Sequence, residues 1–279
     1  MSVTVPTLTE YNALAARVAV LETLKLGTRL PADELAIAAL QTAVAALQAG
    51  APPALAPAAV SIQWPNEPAG LTPISDFAFD LARDAGWVPW PQQQGGVAVV
   101  SDPSAPYSPP NVLQWTYPAG FAGGYSPTNE ALPLPAGLRE LYVGMYWKCS
   151  SPWQPHQSSG VNKICFFKYA DGSSQEIAVM RGTGPYSLQI ERESVETKWY
   201  GTGLPFSLGV WHLLEFHFLP SQGLMEFWCD GQLVGRYTGL AFPNQDWGQV
   251  AFDPIWGGVV ETKTETDYCW LDHVRVSGR

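Results

Sequence analysis

Glu215 and His217 lie two residues apart on one β-like run, so both side chains leave the same face of a strand. They belong to WHLLEFHFLPSQGLMEFWCDGQLVGRY, residues 211–237, which reads as two strands closed by a turn around Ser221-Gln222-Gly223. Antiparallel pairing across that turn brings Glu226, Trp228 and Asp230 beside them. A ring, carboxylates and an imidazole on one surface suit sugar recognition. Aromatic faces take the C–H side of a pyranose, and polar groups take its hydroxyls. Tyr142 and Tyr146, on another predicted strand, join this carbohydrate-binding set, as do Trp153 and Tyr125 in turn-forming sequence.

Other chemistries find less to work with. His212 shares a face with Leu214, Phe216 and Phe218 and is expected in the core, and His156 falls in a polar loop at 150–160. His273 follows Asp272 directly, and adjacent strand residues point to opposite faces, so the two cannot act as a pair. No Gly-x-Ser-x-Gly elbow is present, and the glycines of 120–124 form a loop without the strand and helix of a phosphate cradle. The acidic run 261–267 reads as a solvated loop. Cys149, Cys165, Cys229 and Cys269 are far apart in sequence, with no Cys-x-x-Cys or Cys/His cluster. They are expected as buried thiols, with one disulfide as the alternative, and no metal and no cofactor is expected.

Stepping from these residues to the elements that carry them, the chain divides into unlike parts. Thr7-Leu8-Thr9-Glu10 has capping-box spacing, and Tyr11, Leu14, Val18 and Leu21 follow at the a/d spacing of a coiled coil. Arg17 then falls at g and Glu22 at the next e. A second helix is expected from Pro31, with Ile37, Leu40, Val44 and Leu47 in heptad register and Gly50 closing it. The predicted parts are a coiled-coil helix at 1–27, a second helix at 28–50, a Pro/Ala linker at 51–60 and a β domain at 61–279. Strands are predicted near 97–101, 111–117, 139–149, 162–169, 175–181, 186–193, 196–200, 210–219, 224–230, 232–238 and 267–277. With 26 Gly, 25 Pro and 12 Trp in 279 residues, this is the pattern of an antiparallel two-sheet sandwich. A net charge of −10 argues against a nucleic-acid partner, and no apolar run is long enough for membrane insertion. The first residues, MSVTVPTLTEYN, lack the basic and apolar regions of a secretory signal.

Two resemblances sharpen this. Arg17-Val-Ala-Val-Leu-Glu22 resembles the Arg-h-x-x-h-Glu motif of three-stranded coiled coils, which implies a homotrimer, although a β-branched a position with Leu at d leans toward two strands. Trp211-His212-Leu-Leu-Glu215, then Trp228-Cys-Asp230-Gly231, then Asp272-His273-Val-Arg-Val-Ser277 are similar to the concanavalin A-like jelly-roll superfamily, in its laminin-G-like and polysaccharide-lyase-like members. That likeness implies a jelly-roll sandwich over residues 61–279, with one curved sheet carrying Glu215, His217 and Trp228 in an outer groove. A short coiled coil, a linker and a terminal jelly roll together resemble bacteriophage fibre, tail-tip or decoration proteins. This implies a virion location, other virion proteins held through residues 1–50, and a head that binds a host-surface glycan.

The same superfamily raises two activities. Its glucanase branch carries Glu-h-Asp-x-x-Glu on one strand, whereas the matching strand here offers Glu215 alone. A polysaccharide lyase needs a group to neutralise a uronate and a base and acid beside it, roles that Arg181, Gln189, His217 and Tyr146 are chemically able to fill. The alginate-lyase branch uses Gln-Ile-His, and Gln189-Ile190-Glu191 places Glu at its last position. Lyase activity is therefore the alternative reading.

Overall fold

The computed structural model describes residues 64–78, 87–89, 95–201 and 203–279; the predicted helices, their heptad residues and the linker lie outside these. Trp64–Arg279 form one compact unit. Its strands are β1 (Thr72–Phe77), β2 (Val88–Pro89), β3 (Gly96–Ser101), β4 (Asn111–Tyr117), β5 (Glu130–Pro133), β6 (Leu141–Cys149), β7 (Val161–Tyr169) and β8 (Gln175–Arg181). They continue with β9 (Tyr186–Arg192), β10 (Lys198–Tyr200), β11 (Pro205–Phe206), β12 (His212–Leu219), β13 (Leu224–Cys229), β14 (Gln232–Tyr237), β15 (Trp247–Phe252) and β16 (Asp267–Gly278).

These strands make two antiparallel sheets. The first runs β14-β13-β12-β6-β16-β4-β3, and β1 pairs with the far half of β16 beyond the part taken by β4. The second runs β10-β9-β8-β7-β15-β5-β2, with β11 also on β9. The protein is mainly β, a sandwich, and among the described residues its one helical element is the 3-10 turn Pro220–Gln222.

Period-two alternation decides which side chains go between the sheets. On β12, Leu214, Phe216 and Phe218 are fully buried, and the rings of Phe216 and Phe218 meet Phe167 of β7 with centroids 5.1 Å and 4.9 Å away. Each such aromatic contributes roughly 1.5–3 kcal/mol by leaving water. Trp115, Trp147, Trp247 and Trp256 are also fully buried, so much of the tryptophan serves the core. An ion pair is buried in the sandwich as well: Arg192 Nε donates to Glu176 at 3.1 Å, both side chains fully enclosed. Ser194 and Tyr169 donate to the same carboxylate, and Arg192 also donates to the Ala241 carbonyl at 2.6 Å.

The predicted strands match observed ones to within a few residues. Missing from the prediction are β1, β2, β5, β11 and β15. All but β1 and β15 are four residues or shorter, and β15 is interrupted by Gly248 and Gln249 at a register shift.

Candidate functional site

Register sets out the face that the sequence singled out. Glu215 pairs with Trp228 and with Gly144, and His217 with Glu226 and Tyr142, so these side chains share the outer side of the first sheet. Glu215, His217 and Tyr142 are nonetheless buried. A strap just before β1 closes over them. Asn66 donates to both Glu215 oxygens, from its backbone N–H at 2.9 Å and from Nδ2 at 2.7 Å, and the Tyr142 hydroxyl adds a third bond at 2.6 Å. Trp64 lies over Gly144, where any β-carbon would stand 2.5 Å from the indole, and packs among Tyr146, Tyr107 and His273. Glu67 holds Arg275 at 3.0 Å on the same face.

His217 is equally committed. Its ring nitrogens meet Glu140 at 2.9 Å and Glu226 at 3.3 Å; Arg279 holds Glu140, and Arg236 holds Glu226. Burial, then the Glu215 charge, pushes the Tyr142 hydroxyl far above its ordinary range. Burial and Asp272 push Tyr146 up to about 12. The expected open groove at Glu215 and His217 is therefore corrected: the face is outward but covered. Trp228 is half-buried there.

Other expectations need correction too. The lyase set splits: Tyr146 and His217 belong to the first sheet, Arg181 and Gln189 to the second. All four leave the outer sides, so a sandwich about 10 Å thick separates the pairs. Arg181 instead stacks on Trp199 at 4.0 Å. Trp153 is core, bonded through Nε1 to Asn162 and set edge-on to Tyr117, because its loop folds over the end of the sandwich. Tyr125 is exposed. The run 261–267 is not simply solvated, since Lys263 and Asp267 form a buried pair at 2.6 Å inside a ring of Tyr117, Trp153 and Trp256. His156 is fully buried, with Ser159 on its Nδ1. Asp272 and His273 do not oppose each other. A bulge between Leu271 and Val274 turns Asp272 onto the Tyr107 and Ser108 amides and His273 onto Asp76.

An accessible site lies at the other end of the same sheet face. Tyr268 and Trp270 alternate with the core residues Cys269 and Leu271, so both rings face out. They stack with centroids 5.7 Å apart and planes 25° apart. Trp270 Nε1 donates to Gln114 at 2.8 Å, which fixes the indole. Lys148, opposite Trp270 in the register, places its ammonium 4.7 Å from that ring and 4.6 Å from Trp211, and pairs with Asp102. Beside them opens a cleft of about 450 Å³ lined by Ser150, Ser151, Gly209, Glu265, Asp267, Tyr268 and Trp270. Flat half-buried rings, a cation and hydroxyl and carboxylate groups meet in one accessible place. The sequence signal was the i, i+2 pair in Tyr268-Cys269-Trp270-Leu271, which the reading above used only as part of a closing strand.

No family model matches the chain. Over 152 residues it is 30% identical to the human neuronal pentraxin receptor, a match covering 53% of this chain and 27% of that protein. The chain thus spans about a quarter of that relative's length. Among solved structures, it is similar to the endo-β-1,4-glucuronan lyase of the fungus Trichoderma reesei. The TM-score is 0.54 and the identity 16%, covering 75% of this chain and 96% of that one. The fold is a jelly-roll sandwich. The cellulose induced protein Cip1 lies at a TM-score of 0.49 with 16% identity, covering 68% of this chain and 90% of its own. At these identities the likeness is one of architecture, and function must be argued from the site.

Proposed function

We propose that this jelly roll binds carbohydrate through the Tyr268–Trp270 platform, with Trp211, Lys148 and the adjoining cleft completing the site. The observation that carries the reading is the stacked, half-buried ring pair beside a polar cleft. A pyranose laid on Trp270 gains ring contact, while Glu265, Ser150 and Lys148 stand at its edges for hydroxyls or a carboxylate. Since the T. reesei neighbour is a glucuronan lyase, uronate polymers join neutral glucans in the first panel to test. Titration calorimetry with that panel should show binding to at least one polymer. Trp270→Ala should weaken it roughly thirtyfold, the loss of about 2 kcal/mol expected of a central aromatic anchor. Equal affinity in the variant would remove the platform from the reading.

The second reading, a polysaccharide lyase, draws on the same likeness of fold. Incubation with uronate polymers, followed by the ultraviolet absorbance of unsaturated ends, tests it directly. Against it stand the divided set of Arg181, Gln189, His217 and Tyr146, the burial of Tyr142, and the raised Tyr142 and Tyr146 hydroxyls.

The assembly is a separate proposal. The heptads of Tyr11, Leu14, Val18 and Leu21, with Arg17 and Glu22, support a homotrimer, and attachment to a virion through residues 1–50 is proposed beside it by analogy of architecture alone. Sedimentation of the full chain should give a trimer, and Val18→Asp with Leu21→Asp should give a monomer. A monomeric parent chain would end that proposal and leave the glycan site untouched.

A further inference from the structure

We propose that His212, Cys229 and Asp230 form a zinc site beside the β13–β14 turn. The three residues come from both sides of a hairpin. Leu214 pairs with Cys229 in the β12–β13 register, which brings the first residue of β12 next to the end of β13. His212 Nδ1 stands 2.7 Å from Asp230 Oδ2, and Cys229 Sγ lies 3.7 Å from that nitrogen and 3.8 Å from that oxygen. Two of the three ligand groups are aimed by a bond on their far side. His212 Nε2 donates to the Ser207 carbonyl at 2.9 Å, and Asp230 Oδ1 accepts the Leu213 N–H at 2.9 Å. Asp230 also holds a left-handed turn conformation, φ 51°, which fixes its side chain over the hairpin end.

This arrangement poses a charge problem that a cation solves. A carbonyl only accepts, so Nε2 carries a proton and the neutral ring turns its Nδ1 lone pair toward Asp230. Two lone pairs 2.7 Å apart need a positive centre between them, either a second proton or a metal ion. Zinc bonds of about 2.3 Å to sulfur and about 2.0–2.1 Å to nitrogen and oxygen, at tetrahedral angles, put sulfur about 3.5 Å from its neighbours and nitrogen about 3.3 Å from oxygen. Both sulfur distances already lie near that value, and the nitrogen–oxygen gap opens by rotation of the half-exposed Asp230 carboxylate.

Thiolate, imidazole and carboxylate together favour zinc over magnesium or calcium, which take oxygen donors. A nucleophilic triad is excluded by geometry, because thiol and carboxylate both face Nδ1 while Nε2 is spent on Ser207. Spacing along the chain hid the cluster, and the earlier expectation of no Cys/His grouping holds only in sequence. In space the set is independent of the glycan platform, although it would fix the strand position next to Trp211.

Cobalt is the probe. Titration of the full chain with Co²⁺ should give a thiolate-to-cobalt charge-transfer band with one-to-one stoichiometry, displaced by Zn²⁺. Cys229→Ser should lose the band and Cys165→Ser should keep it. Asp230→Asn preserves the turn and should weaken binding at least tenfold, which decides the matter if Cys229→Ser does not fold. No band at saturating cobalt, a band surviving in Cys229→Ser, or unchanged affinity in Asp230→Asn would overturn the site and leave an imidazolium–carboxylate bond in its place.

Discussion

Arg192→Met should be among the most destabilising single changes in the sandwich, at about 3–5 kcal/mol. Glu176 is fully enclosed, and Arg192 is the cation bonded to it. Burial already raises the Glu176 carboxyl above its usual range, with Arg192 next in importance and opposing that shift. Without the guanidinium the acid must either stay charged in a dry interior or take up a proton. The Ala241 carbonyl would lose its 2.6 Å donor as well. For a domain of this size each kcal/mol moves the midpoint by about 2–4 °C, so the melting temperature should fall by roughly 6–20 °C. Glu176→Gln in the Arg192→Met background should recover most of the loss, since a neutral amide carries no charge to strand. If the double variant melts no higher than the single one, the charge is not the cause.

Trp64→Ala should cost about 3 kcal/mol and, more tellingly, uncover the face beneath. The indole sits on Gly144 and among Tyr107, Tyr146 and His273, with little of it exposed. Its loss frees the strap that positions Asn66 on Glu215. Hydrogen exchange should then rise at the Asn66 amide while the core strand β12 stays protected. Binding at Trp270 should be little changed, because the strap and the platform occupy different parts of the sheet face. Unaltered exchange at Asn66 would mean that the strap is held without the indole.

The hairpin of 211–237 was legible because its turn fixes the pairing arithmetic. Once Gly223 closes the turn, Glu215 must face Trp228 and His217 must face Glu226, as observed. The two-sheet sandwich followed from many short alternating runs between turn residues. The cover over Glu215 was not legible, since Asn66 reaches it across 149 residues of sequence and nothing in Trp-Pro-Asn-Glu announces its target. Trp153 misled for a related reason. Its flanking prolines mark a loop, but a loop can fold inward when Lys263 and Asn162 satisfy its polar groups. Trp270 and Tyr268 were readable in principle: two aromatics spaced by two, around Cys269 and Leu271, had to leave one face.

The last of the described strands, β16, lies inside its sheet and not at an edge. β16 pairs with β6 on one side and with β4 and β1 on the other, so its twelve residues join the two halves of the first sheet. During synthesis every other strand emerges before it, and until Asp267–Gly278 follow, β6 and β4 each present an unfilled edge. The nascent sandwich can pair its hairpins as they appear, but the first sheet cannot close until β16 has been made. A chain cut before Asp267 would therefore leave no shorter version of this domain, only an open sheet prone to find its missing neighbour in another copy.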